Sequence, residues 1–287
     1  MWTKESSMLN FGNVTRKVSA AYRVFNAEGV LGVTTRLRGR FDVHMRMRAA
    51  RKVASVTLDG CIVNMKRIPS SKTKLYLADE NYEVAERRLV PKYLDPELPV
   101  VELGGCIGVI ACITNRMLKN PRLHVVVEAN PFALPFLTET RDNNQCKFEI
   151  ISEALAYGVP SITFRPTLDL LANSVQEKDE GKKFVTVSAI TLRGLVTKRN
   201  FDSFNLICDI EGSEWDLVFN EGDVLQMAAI IVLETHARLI GEAKTAQLLA
   251  KLEDLGFRVV DQEDAVIVLR NLMVTKSGAS ANAATLA

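Results

Sequence analysis

The stretch Val100-Val101-Glu102-Leu103-Gly104-Gly105-Cys106-Ile107-Gly108 constrains this chain more than any other. A short apolar run carries one acid and then meets glycine at 104, 105 and 108. Val109 to Leu118 follows with helical spacing, so the segment reads as strand, tight loop and helix start. The glycines let the backbone approach a ligand that a side chain would otherwise block. A second unit comes at once. Leu123 to Val127 is a β-branched run ending in Glu128, roughly two dozen residues beyond the loop. An acid in that place can accept hydrogen bonds from both hydroxyls of a ribose. The expectation is a nucleoside-containing cofactor at the carboxyl ends of parallel strands.

The loop narrows the choice of cofactor. A dinucleotide fingerprint, G-x-G-x-x-G, begun at Gly104 needs glycine where Cys106 and Val109 stand. The spacing present is E-x-G-x-x-x-G, from Glu102 through Gly104 to Gly108. It resembles the first motif of class I S-adenosylmethionine-dependent methyltransferases. In that family the acid serves the amino-acid end of the cofactor and the loop passes beneath it. The bland alternative is a glycine-rich turn in another α/β enzyme, such as a nicotinamide-dependent oxidoreductase.

At 287 residues the chain has room for one α/β domain and an extension. Hydrophobic residues make up 47% and charged residues 24%, a soluble globular balance. Cys61, Cys106, Cys112, Cys146 and Cys208 form no C-x-x-C pair, which fits buried thiols in a reducing, cytoplasmic setting. His44, His124 and His236 show no zinc-ligand spacing, and no metal is expected. No apolar run reaches the length of a membrane span, and the N-terminus lacks an apolar signal core. Charge is uneven. Residues 1–52 hold eleven Lys or Arg against three Asp or Glu, within a net charge of only +2. Apolar residues are interleaved at helical spacing. This basic helical arm either packs on the acidic remainder, the first reading, or makes peripheral contact with an anionic membrane. No nucleic-acid partner is expected, and oligomeric state is left open.

The chain divides at about 52 and again near 98. Residues 53–98 form a lead-in, with a hairpin turning at Asp59-Gly60 and a helix over Asp79–Leu89. Pro91, Pro96 and Pro99 then break the chain. The expected catalytic domain spans 99–272, and a Ser/Ala-rich disordered tail covers 273–287. After Glu128 comes the loop Ala129-Asn130-Pro131, then a helix to about Asn143. A third strand, Lys147–Ile151, ends in Ser152-Glu153-Ala154. The methyltransferase resemblance puts that strand end beside the adenine. Strands over 161–165 and 184–190, with a polar loop over 173–183 between them, form an insert before the fourth core strand.

Phe204 to Cys208 is that fourth strand, and it ends in Asp209-Ile210-Glu211-Gly212-Ser213-Glu214. Carboxylates cluster where open α/β sheets bind ligands. Asp209 and Glu211 share one direction by strand alternation. Glu214 falls on the first turn of the next helix, where the dipole favours its charge. The fifth strand, Ala228–Leu233, ends in Glu234-Thr235-His236. Imidazole titrates near neutrality and can take a proton from a hydroxyl. A helix over 243–255 and two closing strands follow.

These pieces in this order resemble the FkbM family of methyltransferases, over roughly residues 76 to 270. They are Tyr82-Glu83, the Glu102–Gly108 loop, Val127-Glu128-Ala129-Asn130-Pro131, Ala189-Ile190-Thr191-Leu192, Asp209-Ile210-Glu211-Gly212-Ser213-Glu214 and Glu234-Thr235-His236. Two departures stand out. Glu102 replaces the usual Asp of the first motif, with Gly105-Cys106 in place of Ala-Asn. Arg193 replaces an acid after Thr191-Leu192. The resemblance implies a Rossmann-like class I fold, a mostly parallel sheet with helices on both faces, behind a helical and β-hairpin extension. It implies S-adenosylmethionine as donor and a hydroxyl acceptor on a sugar, glycolipid or polyketide-like molecule. The expected cofactor residues are Glu102, Gly104, Gly105, Gly108, Glu128, Ala129, Asn130, Ser152, Glu153, Ala154 and Asp209. His236 is the expected base, with Asp209 orienting. Glu211, Glu214 and Glu234 stand on the substrate side or behind it. Two other readings compete: the oxidoreductase, and a non-catalytic membrane-surface-binding protein.

Overall fold

A computed structural model describes residues 42–166 and 184–274. The chain falls into two units, Met1–Lys52 and Val53–Ala287. In the first, residues 42–50 form a helix, α1. Residues 1–41 of the basic arm, the polar loop expected over 173–183 and the tail from 275 lie outside the described residues.

The second unit begins with a hairpin, β1 (Ser55–Leu58) and β2 (Cys61–Asn64). Leu58 pairs with Cys61, so Asp59 and Gly60 are the whole turn. Both take positive φ, 44° and 83°, the geometry that matches strand twist in a two-residue turn. The single helix expected over 79–89 is instead two, α2 (Ser71–Ala78) and α3 (Val84–Tyr93). Left-handed Glu80 and Glu83 turn the chain between them. Pro91 does not break the chain; it lies inside the last turn of α3.

The core is a seven-stranded sheet of β3 (Val100–Leu103), β4 (His124–Val127), β5 (Glu149–Ile151), β9 (Phe204–Cys208), β10 (Ala228–Glu234), β11 (Phe257–Glu263) and β12 (Val266–Asn271). Its order is β11-β12-β10-β9-β3-β4-β5. The block from β10 to β5 is parallel, and β12 runs antiparallel between β10 and β11. Every residue of β3, β4 and β9 is buried, as expected of strands covered on both faces. Alternation sorts their side chains. Val101, Leu103, Leu206, Cys208, Ile231 and Leu233 face a core shared with α6 (Leu192–Arg199), α7 (Glu214–Asn220), α8 (Gly222–Leu225) and α9 (Glu242–Asp254). Val100, Ile207, Ile230 and Val232 face α3 and α4 (Val109–Met117). A further helix, α5 (Leu134–Asn143), packs with the hairpin. The insert folds as a small sheet of β6 (Ala154–Leu155), β7 (Ser161–Phe164) and β8 (Val185–Ile190), in the order β6-β8-β7. These layers bring the ends of β3, β4, β9 and β10 to one rim.

Candidate active site

Two adjoining cavities open on that rim. The first is lined by Leu103 and Gly104 after β3, Val127 to Asn130 after β4, Glu153 to Leu155, and Asp209 to Glu211 after β9. Ile162 and Phe164 of β7 close it from the insert. Glu128 after β4 thus faces a slot with apolar walls from Leu103, Val127, Leu155, Ile162 and Phe164, an acceptor for ribose hydroxyls beside surfaces that suit an adenine. Glu128 is 5% exposed and both its oxygens are engaged. Oε2 accepts the amide of Cys106 at 2.7 Å, and Oε1 accepts that of Asn130 at 2.6 Å. Burial pushes its pKa up to about 7 against these amide bonds. Each carboxylate oxygen keeps capacity for a ribose hydroxyl.

The second cavity, about 690 Å³, shares Gly104, Glu128, Asp209 and Glu211 with the first. Glu234 and His236 after β10 line it, together with Tyr82, Glu83 and Glu86 at the start of α3. His236 is its centre. Nε2 lies 3.4 Å from Asp209 Oδ1, 3.6 Å from Glu211 Oε2 and 4.0 Å from Glu234 Oε2. Nδ1 is 2.8 Å from Glu214 Oε1. Burial alone would pull the imidazole pKa down. The carboxylates, Glu214 first, outweigh burial and raise it. Burial raises the Asp209 pKa well above the usual range, and repulsion from Glu234, Glu83 and Glu211 adds to it. Asp209 Oδ1 is buried without a hydrogen bond. Four non-glycine residues of this wall, Glu83, Cys106, Glu211 and Asp264, hold φ of 46°, 43°, 51° and 53°. Such conformations cost ~1–3 kcal/mol each and cluster at functional sites.

Not every expected residue reaches a cavity. Glu102 lines neither; its buried carboxylate sits 3.1 Å from His124 Nε2 on the neighbouring strand. Its assignment to the amino-acid end of the cofactor is therefore corrected: strand alternation turns the side chain into the sheet. Gly105 and Gly108 also do not line a cavity. A Cβ on Gly105 would strike Val126 and Leu137, so that glycine serves packing under α5. Gly108 caps α4 in the left-handed region. Ser152 is exposed and away from both cavities. Arg193 pairs with Asp223 at 2.6 Å on the surface, so that departure from the family pattern leaves the cavities untouched. Glu214 stands behind His236 rather than on the wall. Missed at the sequence level were Ile162, Phe164 and Glu86. The Tyr82-Glu83 pair, quoted only for its resemblance, was the available signal for the α3 wall.

No curated protein matches the chain. Among solved structures, TYW2 of M. jannaschii in complex with AdoMet is 15% identical, covering 76% of this chain and 84% of that one, at a TM-score of 0.39. Fibrillarin of Aeropyrum pernix, with natively bound S-adenosyl-L-methionine, is 12% identical over 65% and 74%, also at 0.39. Precorrin-6y C5,15-methyltransferase of Geobacter metallireducens is 12% identical over 64% and 83%, at 0.39. The model of the methyltransferase FkbM domain matches residues 102–259, more than half the chain, and it runs from the first-motif acid past both rim clusters. The chain belongs to the FkbM methyltransferase family, on a Rossmann-like fold and with S-adenosylmethionine as its cofactor.

Proposed function

We propose that the protein methylates a hydroxyl oxygen of a small molecule or glycan, such as a sugar, glycolipid or polyketide-like acceptor. His236 acts as base and Asp209 orients the acceptor. The observation that carries this reading is the His236 Nε2 atom, set among carboxylates on the wall of a cavity that adjoins the cofactor cavity. Bound S-adenosylmethionine supplies an electrophilic methyl group on a positively charged sulfur. Glu128 accepts the ribose hydroxyls, while Ala154, Ile162 and Phe164 wall the adenine. Asp209, whose side chain is partly exposed on the cavity wall, hydrogen-bonds the acceptor and aligns its oxygen. Nε2 takes the hydroxyl proton as the new O–C bond forms, and the carboxylates around it stabilise the imidazolium. The test is a donor-dependent screen of sugar and lipid alcohols with product mass and linkage analysis. Products methylated only on nitrogen or carbon would overturn the reading.

Two further outcomes follow from the site. Glu128→Ala removes the carboxylate proposed to hold the ribose and is expected to weaken S-adenosylmethionine binding by about 1–3 kcal/mol, by titration calorimetry. Cofactor affinity in the wild type should rise with pH. The Glu128 carboxyl, with a pKa near 7, must be ionised to accept two hydroxyls. Binding at pH 6 is expected to be up to about tenfold weaker than at pH 8. Unchanged affinity in either experiment removes Glu128 from the ribose site.

The basic arm is proposed to make peripheral contact with anionic lipid, from its eleven cationic residues against three acidic ones. Among the described residues, no helix is long and apolar enough to cross a membrane. Flotation with acidic vesicles should show binding that falls steeply with salt. No binding at low salt would leave the arm as a packing element only.

A further inference from the structure

We propose that Glu214 is the positioning residue of this site, fixing the ring of His236 so that Nε2 is the unprotonated nitrogen offered to the acceptor. This rests on the reading of His236 as base. Glu214 opens α7 and is 1% exposed. It touches neither cavity, so it can act on the chemistry only through another group. The loop before it makes the contact. Glu211 at φ 51° and Gly212 at φ 102° turn the chain back. The amides of Ile210 and Gly212 then both point at Glu214 Oε1, each at 3.2 Å. The His236 ring is the third partner of the same oxygen, through Nδ1 at 2.8 Å.

That oxygen already accepts two N–H groups, so it is an acceptor toward the ring as well. Nδ1 therefore carries the hydrogen. A neutral imidazole has one N–H, which leaves the lone pair on Nε2. Nε2 is the nitrogen that faces Asp209 and Glu211 after β9 and Glu234 on β10. Glu86 of α3 and Arg238 after β10 line the same cavity. When Nε2 takes a proton the ring becomes a cation, and the buried Glu214 charge stabilises it from behind. The orienting role expected of Asp209 thus divides. Asp209 faces the acceptor, and Glu214 holds the base.

The test uses Glu214→Gln and Glu214→Ala in the full chain, compared with His236→Ala. Glutamine can keep all three contacts through its carbonyl oxygen but brings no charge. Glu214→Gln is expected to keep the plateau of kcat within about tenfold, with unchanged KM and cofactor affinity, while the acid limb of the pH–kcat profile moves to lower pH. Nitrogen-15 spectra of His236 should still show the Nδ1–H form. Glu214→Ala is expected to lower kcat about 10²-fold and to mix the two tautomers. Made on top of His236→Ala, it should lower kcat no further, because Glu214 acts through the ring. A Glu214→Gln profile that overlays the wild type would overturn the proposal, as would an equal further loss in the double variant. The glutamine variant keeps the test decisive if the alanine variant does not fold. Full activity of His236→Ala would sink the base reading itself. An impaired His236→Ala beside fully active Glu214 variants would sink only the role of Glu214.

Discussion

His236→Ala is expected to lower the methyl-transfer rate by about 10²–10⁴, the scale of a lost general base, while cofactor affinity stays within about twofold. The separation follows from geometry. His236 lines the second cavity, and the adenosine slot is built from other residues. The deficit should shrink as pH rises, because hydroxide can replace the missing base. Wild-type kcat should climb with pH through an apparent pKa above the ordinary imidazole value, since the surrounding carboxylates raise that of His236. The same shift has a sign for stability. A histidine whose pKa is raised in the folded state stabilises it below about pH 6.5, and that contribution is lost as pH rises through the higher folded value. Stopped-time assays across pH and titration of the cofactor read the kinetic and binding outcomes, and melting points across pH read the stability. A fully active variant ends the assignment, and activity abolished by a chelator moves the chemistry to the carboxylates and a metal.

Gly104→Ala is expected to cost about 3 kcal/mol of stability or more, read as a melting point lower by roughly 6–12 °C. Two effects add at this position. Its φ is +94°, a region that side chains avoid, and an added Cβ would lie 1.8 Å from the Asp209 carbonyl oxygen. That oxygen is backbone and cannot swing away. The ends of β3 and β9 would have to part, breaking the bond from the Asp209 amide to the Leu103 carbonyl. Cofactor binding and catalysis should fall together, because Gly104 and Asp209 belong to both cavities. A variant that melts within about 2 °C of the wild type would show that the rim has slack the present packing does not reveal. The glycine read at first as room for a ligand is thus required by a neighbouring strand.

The parallel core was legible because its signals are local. Runs such as Val100–Leu103 and Phe204–Cys208 are apolar but for Glu102 and Asn205, and each is followed by glycines or acids at its carboxyl end. Strand ends converge in a doubly covered sheet, so Glu128, Asp209, Glu234 and His236 could be placed on one rim before their distances were known. What stayed hidden depends on contacts between distant segments. Glu102 is claimed by His124, twenty-two residues away, and nothing in the local pattern marks that pair. Ile162 and Phe164 reach the cofactor slot only because the insert folds into its own small sheet. The wall built by Glu83 and Glu86 depends on a left-handed turn at two glutamates, which propensity disfavours. Glu214 looked like an ordinary helix-start acid, and only the returning loop shows that it grips the imidazole.

The position of β12 has a consequence for biosynthesis. This strand is the last described in the chain, yet it pairs along the outer edge of β10, the strand that ends in Glu234 and leads to His236. Until it leaves the ribosome, β10 exposes a row of unpaired backbone groups beside an apolar face, the kind of edge that invites another chain. The two acidic clusters are then held by an unfinished sheet. A chain truncated before Val266 would carry every lining residue of the site but Val266 and still display that open edge, so it is expected to associate with other chains where the full sheet does not.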